Sequence, residues 1–161
     1  QRALIAMALS CGPDLLVADE PTTALDVITQ AQITNLLKSL RQNLSLSVLL
    51  ITHDLSVISE LCEKVAVMYA GKIVESGDVK AVYSKALHPY TQGLIDSFPN
   101  LTVSSPRLEA IPGNPPDLLN PPMGCRFHPR CKYAKDICRQ REPHQVEVET
   151  RHVVSCHIHG G

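Results

Sequence analysis

Apolar residues recur along the first half of the chain with spacings that alternate between those of helices and those of buried strands. Helical spacing occurs over residues 1–11 and 28–43, whereas residues 15–18 and 47–51 form short continuous apolar runs. Gly12-Pro13 follows the first helical segment and ends it. Because helices and strands alternate, the pattern predicts an α/β fold with a parallel sheet.

Shorter elements are predicted downstream of this region. They are a helix around 54–62, a hairpin of strands 64–69 and 72–76 joined through Ala70-Gly71, and short helices at 78–84 and 89–98. The last helix follows His88 and has Pro89 in its first turn, which is a common helix start and predicts no catalytic role for this segment.

A change in composition predicts a second region. Seven of the 12 prolines lie between Pro99 and Pro122, a density that excludes helix and indicates an extended linker. Lys and Arg number 7 against 10 Asp and Glu over residues 1–98, but 8 against 6 over residues 99–161. We therefore predict a domain at 1–98 and a separate extension at 99–161.

Overall composition limits the class of protein. With 44% hydrophobic residues and a formal net charge of −1, the chain resembles neither a disordered protein nor a basic nucleic-acid binder. No apolar run approaches the roughly 18 residues that span a bilayer, and no signal peptide is visible. A cytosolic protein is expected, and the first residue, Gln1, suggests that the sequence is part of a longer one.

Polar residues follow both predicted strands at their carboxyl ends. Asp19 and Glu20 close the first strand, and His53 follows the second. Ligands bind at this edge of an open parallel sheet, so the three side chains belong to one candidate site. One carboxylate could hold Mg²⁺ while the other activates a water that attacks a phosphate. Two acids at a strand end can equally be ordinary surface residues.

The neighbouring residues distinguish these interpretations. Residues 15–26, LLVADEPTTALD, closely resemble the Walker B motif and D-loop of ABC ATPases, and residues 52–54, THD, resemble their switch histidine. Residues 1–3, QRA, resemble the positions directly after the signature motif. The resemblance implies a P-loop NTPase-like ABC ATPase core, incomplete here, that binds ATP and Mg²⁺. It implies these roles: Asp19 in the Mg²⁺ shell, Glu20 as general base, His53 as γ-phosphate sensor, Asp26 at the dimer interface, and Gln1 among the cofactor-binding residues.

The resemblance also predicts that these 161 residues alone do not hydrolyse ATP. The sequence contains no Gly-rich phosphate-binding loop with its lysine, and that loop supplies most of the affinity for phosphates. We therefore expect hydrolysis only from a complete protein. Its expected partners are a second ABC ATPase subunit, forming a heterodimer, two transmembrane permease subunits and an extracytoplasmic peptide-binding protein. Its expected location is the cytoplasmic face of the cell membrane.

Six cysteines fall into two groups. Cys11 and Cys62 are isolated in apolar surroundings and are predicted to be buried. Spacings of five, six and 17 residues separate the other four, which are Cys125, Cys131, Cys138 and Cys156. Disulfides are rare in the cytosol, and zinc sites commonly use closer pairs, so the wide spacing favours a [4Fe–4S] cluster. Zn²⁺, and free thiols or disulfides, remain alternatives.

The order of residues around these cysteines resembles the C-terminal extension of oligopeptide and dipeptide transporter ATPases. In some members that extension is associated with an iron–sulfur cluster, which favours the cluster over Zn²⁺. The basic residues among the cysteines would offset thiolate charge; they are Arg126, Arg130, Lys132, Lys135, Arg139 and Arg141. Five histidines in the tail are expected to be exposed and are not assigned as ligands; they are His128, His144, His152, His157 and His159.

Two other functions are weighed for the tail. Basic residues interleaved with Phe127 and Tyr133 could bind nucleic acid, as in a metal knuckle. A purely structural role is the other. Two aromatic side chains are few for base stacking, and charge balance explains the basic residues, so no nucleic-acid partner is predicted.

Overall fold

A computed structural model describes residues 1–97 and 111–161. The chain divides into two compact units, Gln1–Cys62 and Glu63–Gly161. The boundary predicted near Pro99 lies outside the described residues. It therefore stays a prediction, and each unit is considered by itself below.

The first unit alternates helices and strands as predicted. Its elements are α1 (Arg2–Leu9), β1 (Leu15–Asp19), α2 (Val27–Leu44), β2 (Ser47–Ile51) and α3 (Leu55–Leu61). Strands β1 and β2 pair in parallel, from Leu15 opposite Ser47 to Asp19 opposite Ile51. The predicted parallel pairing of these two strands is confirmed.

One face of this two-stranded sheet forms the core of the unit. Leu16 packs there with Ile5 of α1 and with Ile33 and Leu37 of α2, all nearly inaccessible to solvent. Four apolar side chains on the opposite face are 47–55% exposed; they are Leu15, Val17, Leu49 and Ile51. Parallel sheets are usually covered on both faces. Among the described residues, this sheet is covered on one.

The second unit is built on an antiparallel sheet. Its helices and strands are β3 (Lys64–Tyr69), β4 (Lys72–Asp78), α4 (Val79–Ser84), α5 (Pro89–Asp96), α6 (Asp136–Gln140), β5 (Gln145–Glu149) and β6 (His152–Ser155). Two 3₁₀ turns cover His128–Arg130 and His157–His159. The strand order in the sheet is β3-β4-β6-β5.

Two turn residues confirm the predicted hairpin between β3 and β4. Ala70 has φ 47° and Gly71 has φ 80°. Positive φ at both central residues is what a type I′ two-residue hairpin turn requires, and the twist of this turn matches that of the strands. Gly71 adopts this conformation at no steric cost, which explains its place in the turn.

The tail contains more regular structure than the irregular extension that was predicted. Strand β6 pairs with the hairpin strand β4, placing Val154 opposite Glu75 and Val153 opposite Ser76. Strand β5 pairs along the other edge of β6. The β-branched valines of these segments favour pleated, half-buried strands. The irregular extension was predicted instead from the proline content of the preceding segment.

The isolated cysteines differ from expectation. Cys11 is exposed and Cys62 is half-buried, so the predicted burial of Cys11 is wrong. Cys11 lies in the turn after the end of α1, where its side chain meets no core. No disulfide joins any of the six cysteines, all of which lie within the described residues. Within the two described ranges, no helix is long and apolar enough to cross a membrane.

Candidate functional site

The end of β1 has an unusual backbone conformation. Asp19 is the last residue of the strand, and Glu20 follows with φ 44°, in the left-handed region that non-glycine residues seldom adopt. The Glu20 N–H donates to the carbonyl of Ile51 at 2.8 Å, which joins the ends of β1 and β2. Strained residues of this kind concentrate at functional sites.

Glu20 and His53 are brought together at this edge of the sheet. His53 Nδ1 lies 3.2 Å from Glu20 Oε1, and the Thr23 hydroxyl donates to Glu20 Oε2 at 2.7 Å. The side chains of His53 and Glu20 are 78% and 46% exposed. The hydrogen bond from Thr23, and next that with His53, lower the pKa of Glu20 below its usual 4.5. Glu20 is thus an ionised, accessible carboxylate at neutral pH.

Residues that were not predicted hold His53 in place. The Asp54 side chain caps α3 by accepting from the backbone N–H groups of Ser56 and Val57. Gln30 of α2 donates to Asp54 Oδ2 at 2.8 Å, which ties the loop carrying His53 to that helix. An aspartate directly before a helical segment is a typical N-cap, and this signal was available in the sequence.

The other predicted residues of this site have different local roles. Asp26 caps α2, accepting from the backbone N–H groups of Ile28 at 3.0 Å and Thr29 at 2.9 Å. Hydrogen bonds from Thr29 lower the pKa of Asp26. Gln1 is exposed at the start of α1 and makes no side-chain cap. The structure thus brings Glu20 and His53 together beside Asp19, whereas Asp26 has a structural partner of its own.

The four tail cysteines line one small cavity in the second unit. They come from separate segments: Cys125 precedes a 3₁₀ turn, Cys131 follows it, Cys138 lies in α6, and Cys156 follows β6. The cavity has a volume of about 10 Å³, the space of one water molecule. In the described part of the chain, no group of three or more His, Cys, Asp or Glu residues is arranged to hold a metal ion.

Burial controls the ionisation of these thiols. It raises the pKa of Cys125 and Cys131, and it raises that of Cys156 to about 11. The nearby cysteines add to the shift at each of the three. Without a cation beside them the three thiols stay protonated at neutral pH, so a bound metal would have to displace protons.

Backbone N–H groups face the sulfur atoms. At Cys125, Cys131 and Cys156, a hydrogen bond from the backbone N–H two residues further along lowers the thiol pKa and so opposes the effect of burial. The three donors belong to Phe127, Tyr133 and Ile158, respectively. The Lys135 N–H donates to Cys138 Sγ at 3.4 Å. Every sulfur therefore has a backbone donor nearby. Hydrogen bonds of this type to cysteine sulfur influence the potential of iron–sulfur clusters.

Three histidines also line the cavity, and sequence reasoning did not place them there: His88, His128 and His157. His88 is 1% exposed, and burial lowers its pKa to about 4, with Glu75 acting in the opposite direction. His128 Nδ1 lies 2.9 Å from the carbonyl oxygen of Cys125. A histidine before a Pro-initiated helix carries no sequence signal for a cavity formed by residues much further along the chain.

A buried hydrogen-bond network lies in the same unit. His152 was predicted to be exposed, but it is 1% exposed, and its Nε2 lies 2.7 Å from Glu75 Oε1. Glu75 is also buried and accepts from the backbone N–H groups of Leu87 at 2.8 Å and His88 at 2.9 Å. The reason for the difference is tertiary: β6 pairs with β4, which places His152 against Glu75.

Two of the basic residues among the cysteines contact the protein itself. Arg126 donates to the carbonyl of Ala70 in the hairpin turn. Arg130 donates to the carbonyls of Pro112 at 2.8 Å and Ile111 at 3.2 Å. These two arginines therefore stabilise the hairpin turn and the segment at residues 111–112 by hydrogen bonds. The sequence alone predicted only that they would offset thiolate charge.

Comparison with known proteins bears on both sites. The model for the C-terminal region of oligopeptide/dipeptide transporters matches residues 74–138. The dipeptide transport ATP-binding protein DppD of Caldanaerobacter subterraneus is 47% identical over 159 residues, 99% of this chain and 49% of that protein. The oligopeptide transport ATP-binding protein OppD of Escherichia coli is 50% identical over 143 residues, 89% of this chain and 42% of that protein. The chain belongs to this transporter ATP-binding family.

The family membership confirms the resemblance on which the interpretation of the sequence depended. The chain spans about half the length of the curated relatives it matches. The part matched by the transporter family model includes Glu75, His88 and three of the four cavity cysteines, while Cys156 lies beyond it.

Proposed function

We propose that the complete protein containing this chain hydrolyses ATP, and that the first unit supplies part of its catalytic site. The observation that carries the proposal is the Glu20 to His53 contact of 3.2 Å at the carboxyl ends of two parallel strands. This is the edge at which open parallel sheets bind ligands.

Each residue has a chemical role in this proposal. Glu20 takes a proton from the water that attacks the γ-phosphate, and its lowered pKa keeps it ionised for that purpose. His53 contacts the γ-phosphate. Asp19, an exposed carboxylate at the end of β1, would hold Mg²⁺, which neutralises charge on the phosphates. Asp26 contributes to the interface with a second nucleotide-binding subunit, and Gln1 contributes to nucleotide binding.

The biological role that we propose is energising peptide import. The names of the relatives refer to dipeptide and oligopeptide transport. The partners would be a second ATPase subunit, two transmembrane permease subunits and an extracytoplasmic peptide-binding protein, with this protein at the cytoplasmic face of the membrane. Because the 161 residues contain no Gly-rich phosphate loop, we expect hydrolysis only from the complete protein.

Glu20→Gln tests the catalytic proposal in the complete protein. Because the amide cannot accept the proton, hydrolysis should fall by roughly 10²- to 10⁴-fold while ATP binding is retained. Glu60→Gln, which removes an exposed carboxylate from the same unit, is the matched control and should keep full activity. Wild-type turnover in the Glu20→Gln protein would remove Glu20 from its assigned role.

A second function is favoured by the cysteine cavity. We propose that Cys125, Cys131, Cys138 and Cys156 bind a [4Fe–4S] cluster. Cys125, Cys131 and Cys138, together with the more distant Cys156, line one cavity, and each sulfur has a backbone N–H nearby. A zinc ion needs all four sulfurs about 2.3 Å from one point, whereas a cluster binds each thiolate through a different iron. The wide spacing of the cysteines along the sequence favours the cluster.

The bound centre would serve this chain chiefly as a cross-link between the segments that carry the cysteines. Small metal domains gain folding free energy from such a link. The exposed Leu118, Leu119 and Met123 indicate how little apolar packing the proline-rich segment before Cys125 obtains. A centre of this kind would supply the core that the segment lacks.

Metal analysis of the complete protein, purified without oxygen, tests the second proposal. About four irons and a brown colour are expected, and Cys125→Ser should abolish both. Cys11→Ser, which changes an exposed cysteine of the other unit, is the control and should keep the iron. One zinc per chain would replace the cluster by a zinc site. The absence of bound metal would refute the proposal.

A further inference from the structure

His88 has a place at the cysteine cavity that its role at a helix start does not explain. His88 lines the cavity together with the four cysteines and is 1% exposed. Glu75 accepts from the His88 backbone N–H at 2.9 Å, and the His88 ring lies 5.6 Å from that of Phe127. The histidine is therefore held at the cavity wall from both its backbone and its side chain.

The hydrogen bonds of His88 determine where its ring proton lies. The Tyr90 backbone N–H donates to His88 Nδ1 at 3.0 Å. An N–H group can only donate, so Nδ1 is unprotonated and the proton of the neutral ring is on Nε2. No hydrogen bond from this Nε2 is found among residues 1–97 and 111–161.

His128 differs from His88 in this respect. Its Nδ1 faces the Cys125 carbonyl oxygen at 2.9 Å and must donate, so a neutral His128 has its lone pair on Nε2. Of these two cavity histidines, His88 is the one whose remaining ring nitrogen can donate. His88 lines the same cavity as the four cysteines, so the sulfurs of a centre bound there are the anionic acceptors nearest in chemistry to this donor.

We propose that His88 donates its Nε2 hydrogen to a sulfur of the metal centre, either a cysteine thiolate or a sulfide. The inference rests on the metal centre proposed above. His88 is then a positioning residue and not a ligand, since Nδ1 is used by Tyr90 and Nε2 carries the proton. Hydrogen bonds to an ionised acceptor are about twice as strong as neutral ones.

Two consequences follow for the properties of the centre. A donor to sulfur stabilises the more negative, reduced state of a cluster, so it should raise the reduction potential. It should also slow the loss of metal, because removing such a supporting contact typically lowers metal affinity by 10- to 100-fold. The second consequence applies equally to zinc.

Two substitutions separate this role from the helix cap. In His88→Asn a short side-chain oxygen can still accept from Tyr90, and Asn is among the best N-cap residues, but the cavity donor is lost. In His88→Gln the longer amide can place an N–H near the former Nε2, while Gln is a poorer cap. A structural role predicts that Asn is tolerated better than Gln, and the sulfur hydrogen bond predicts the reverse.

The experiment measures metal loss to a chelator and, for a cluster, the reduced fraction at a fixed ambient potential in the complete protein. His88→Asn should release metal about 10- to 100-fold faster and lower the reduced-to-oxidised ratio about tenfold, which is 59 mV for a one-electron couple. His88→Gln should lie closer to wild type on both. His144→Asn, an exposed tail histidine, should match wild type.

The possible results are distinct. A wild-type protein without metal overturns the metal centre, and the role of His88 with it. A wild-type protein with metal, combined with unchanged metal loss and reduction in both His88 variants, overturns the role of His88 alone. The same holds if Asn outperforms Gln, because that order follows the quality of the helix cap. Urea unfolding of both variants identifies any that lose metal through misfolding.

Discussion

Each unit contains a carboxylate paired with an imidazole. The two pairs consist of the same chemical groups but differ in their exposure to solvent. Glu20 and His53 lie 3.2 Å apart with side chains that are 46% and 78% exposed. Glu75 and His152 lie 2.7 Å apart with side chains that are 0% and 1% exposed. The exposed pair can meet a ligand, whereas the buried pair can meet only the protein.

The difference shows that burial decides whether a Glu–His pair can act on a ligand or only stabilise the fold. Glu75 accepts three N–H groups, from Leu87, His88 and His152, all within its own unit. Glu20 accepts from Thr23 and contacts His53, and it remains open to water. In the buried pair, His152 Nδ1 has no partner within the described residues, so the neutral ring with its proton on Nε2 fits best.

The largest effect is expected from Glu75→Leu. It leaves the N–H groups of Leu87, His88 and His152 buried without an acceptor. Each unsatisfied buried donor costs about 1–3 kcal/mol, so the free energy of unfolding should fall by at least about 3 kcal/mol. Hydrogen exchange measured peptide by peptide should show the second unit opening. Glu20→Gln is the comparison and should change the free energy of unfolding by less than about 0.5 kcal/mol. Equal effects of the two substitutions would contradict the distinction drawn here.

A pH dependence of the second unit is the next largest effect. Burial lowers the pKa of His88 from 6.5 to about 4; Glu75 opposes the shift, and His159 adds to it. Between these values the unfolded chain binds the extra proton, so stability is full above pH 6.5 and falls as the pH drops towards 4. The loss should approach roughly 3 kcal/mol.

Tyrosine fluorescence can measure this loss in the metal-free, reduced 161-residue chain. The chain contains no Trp, and its four Tyr residues all lie in the second unit, so urea unfolding followed by this signal reports on that unit. His88→Asn removes the titrating group and should flatten the profile between pH 6.5 and 4. An unchanged slope in that variant would assign the pH dependence to other residues.

The smallest effect concerns Asp26, which caps α2 and is also proposed to lie at a subunit interface. Asp26→Ala should lower the free energy of unfolding of the first unit by about 1 kcal/mol, whereas Asp26→Ser keeps a capping oxygen and should cost little. ATPase assays of the complete protein complete the test. Reduced activity in a stable Asp26→Ser protein supports the interface role, and full activity restricts Asp26 to the cap.

Local patterns predicted the first unit well. Strand β2 and its parallel pairing with β1 follow from a short apolar run and an intervening amphipathic helix, which together leave few alternative topologies. The proximity of Glu20 and His53 follows from that topology, because the ends of adjacent parallel strands meet at one edge. The hydrogen bond from Gln30 to Asp54 could not be predicted, since it depends on how α2 packs beside α3.

The second unit was harder to predict because its contacts join distant parts of the chain. The pairing of β4 with β6 connects residues 77 positions apart, as in Glu75 and His152. No short-range periodicity encodes such a pairing, and the cost of closing a long loop depends only weakly on its length. The burial of His152 and the position of His88 at the cavity both depend on this packing.

The sequence by itself determined the transporter ATP-binding family, the parallel strands and the four cysteines as a group, because each of these depends on residue types at short, fixed spacings. Only the tertiary structure decided which polar groups are buried, that the cysteines share a cavity with His88, and that Glu75 anchors the tail. The physical reason is that burial and hydrogen-bond partners are properties of packed surfaces, which form from segments that the sequence keeps far apart.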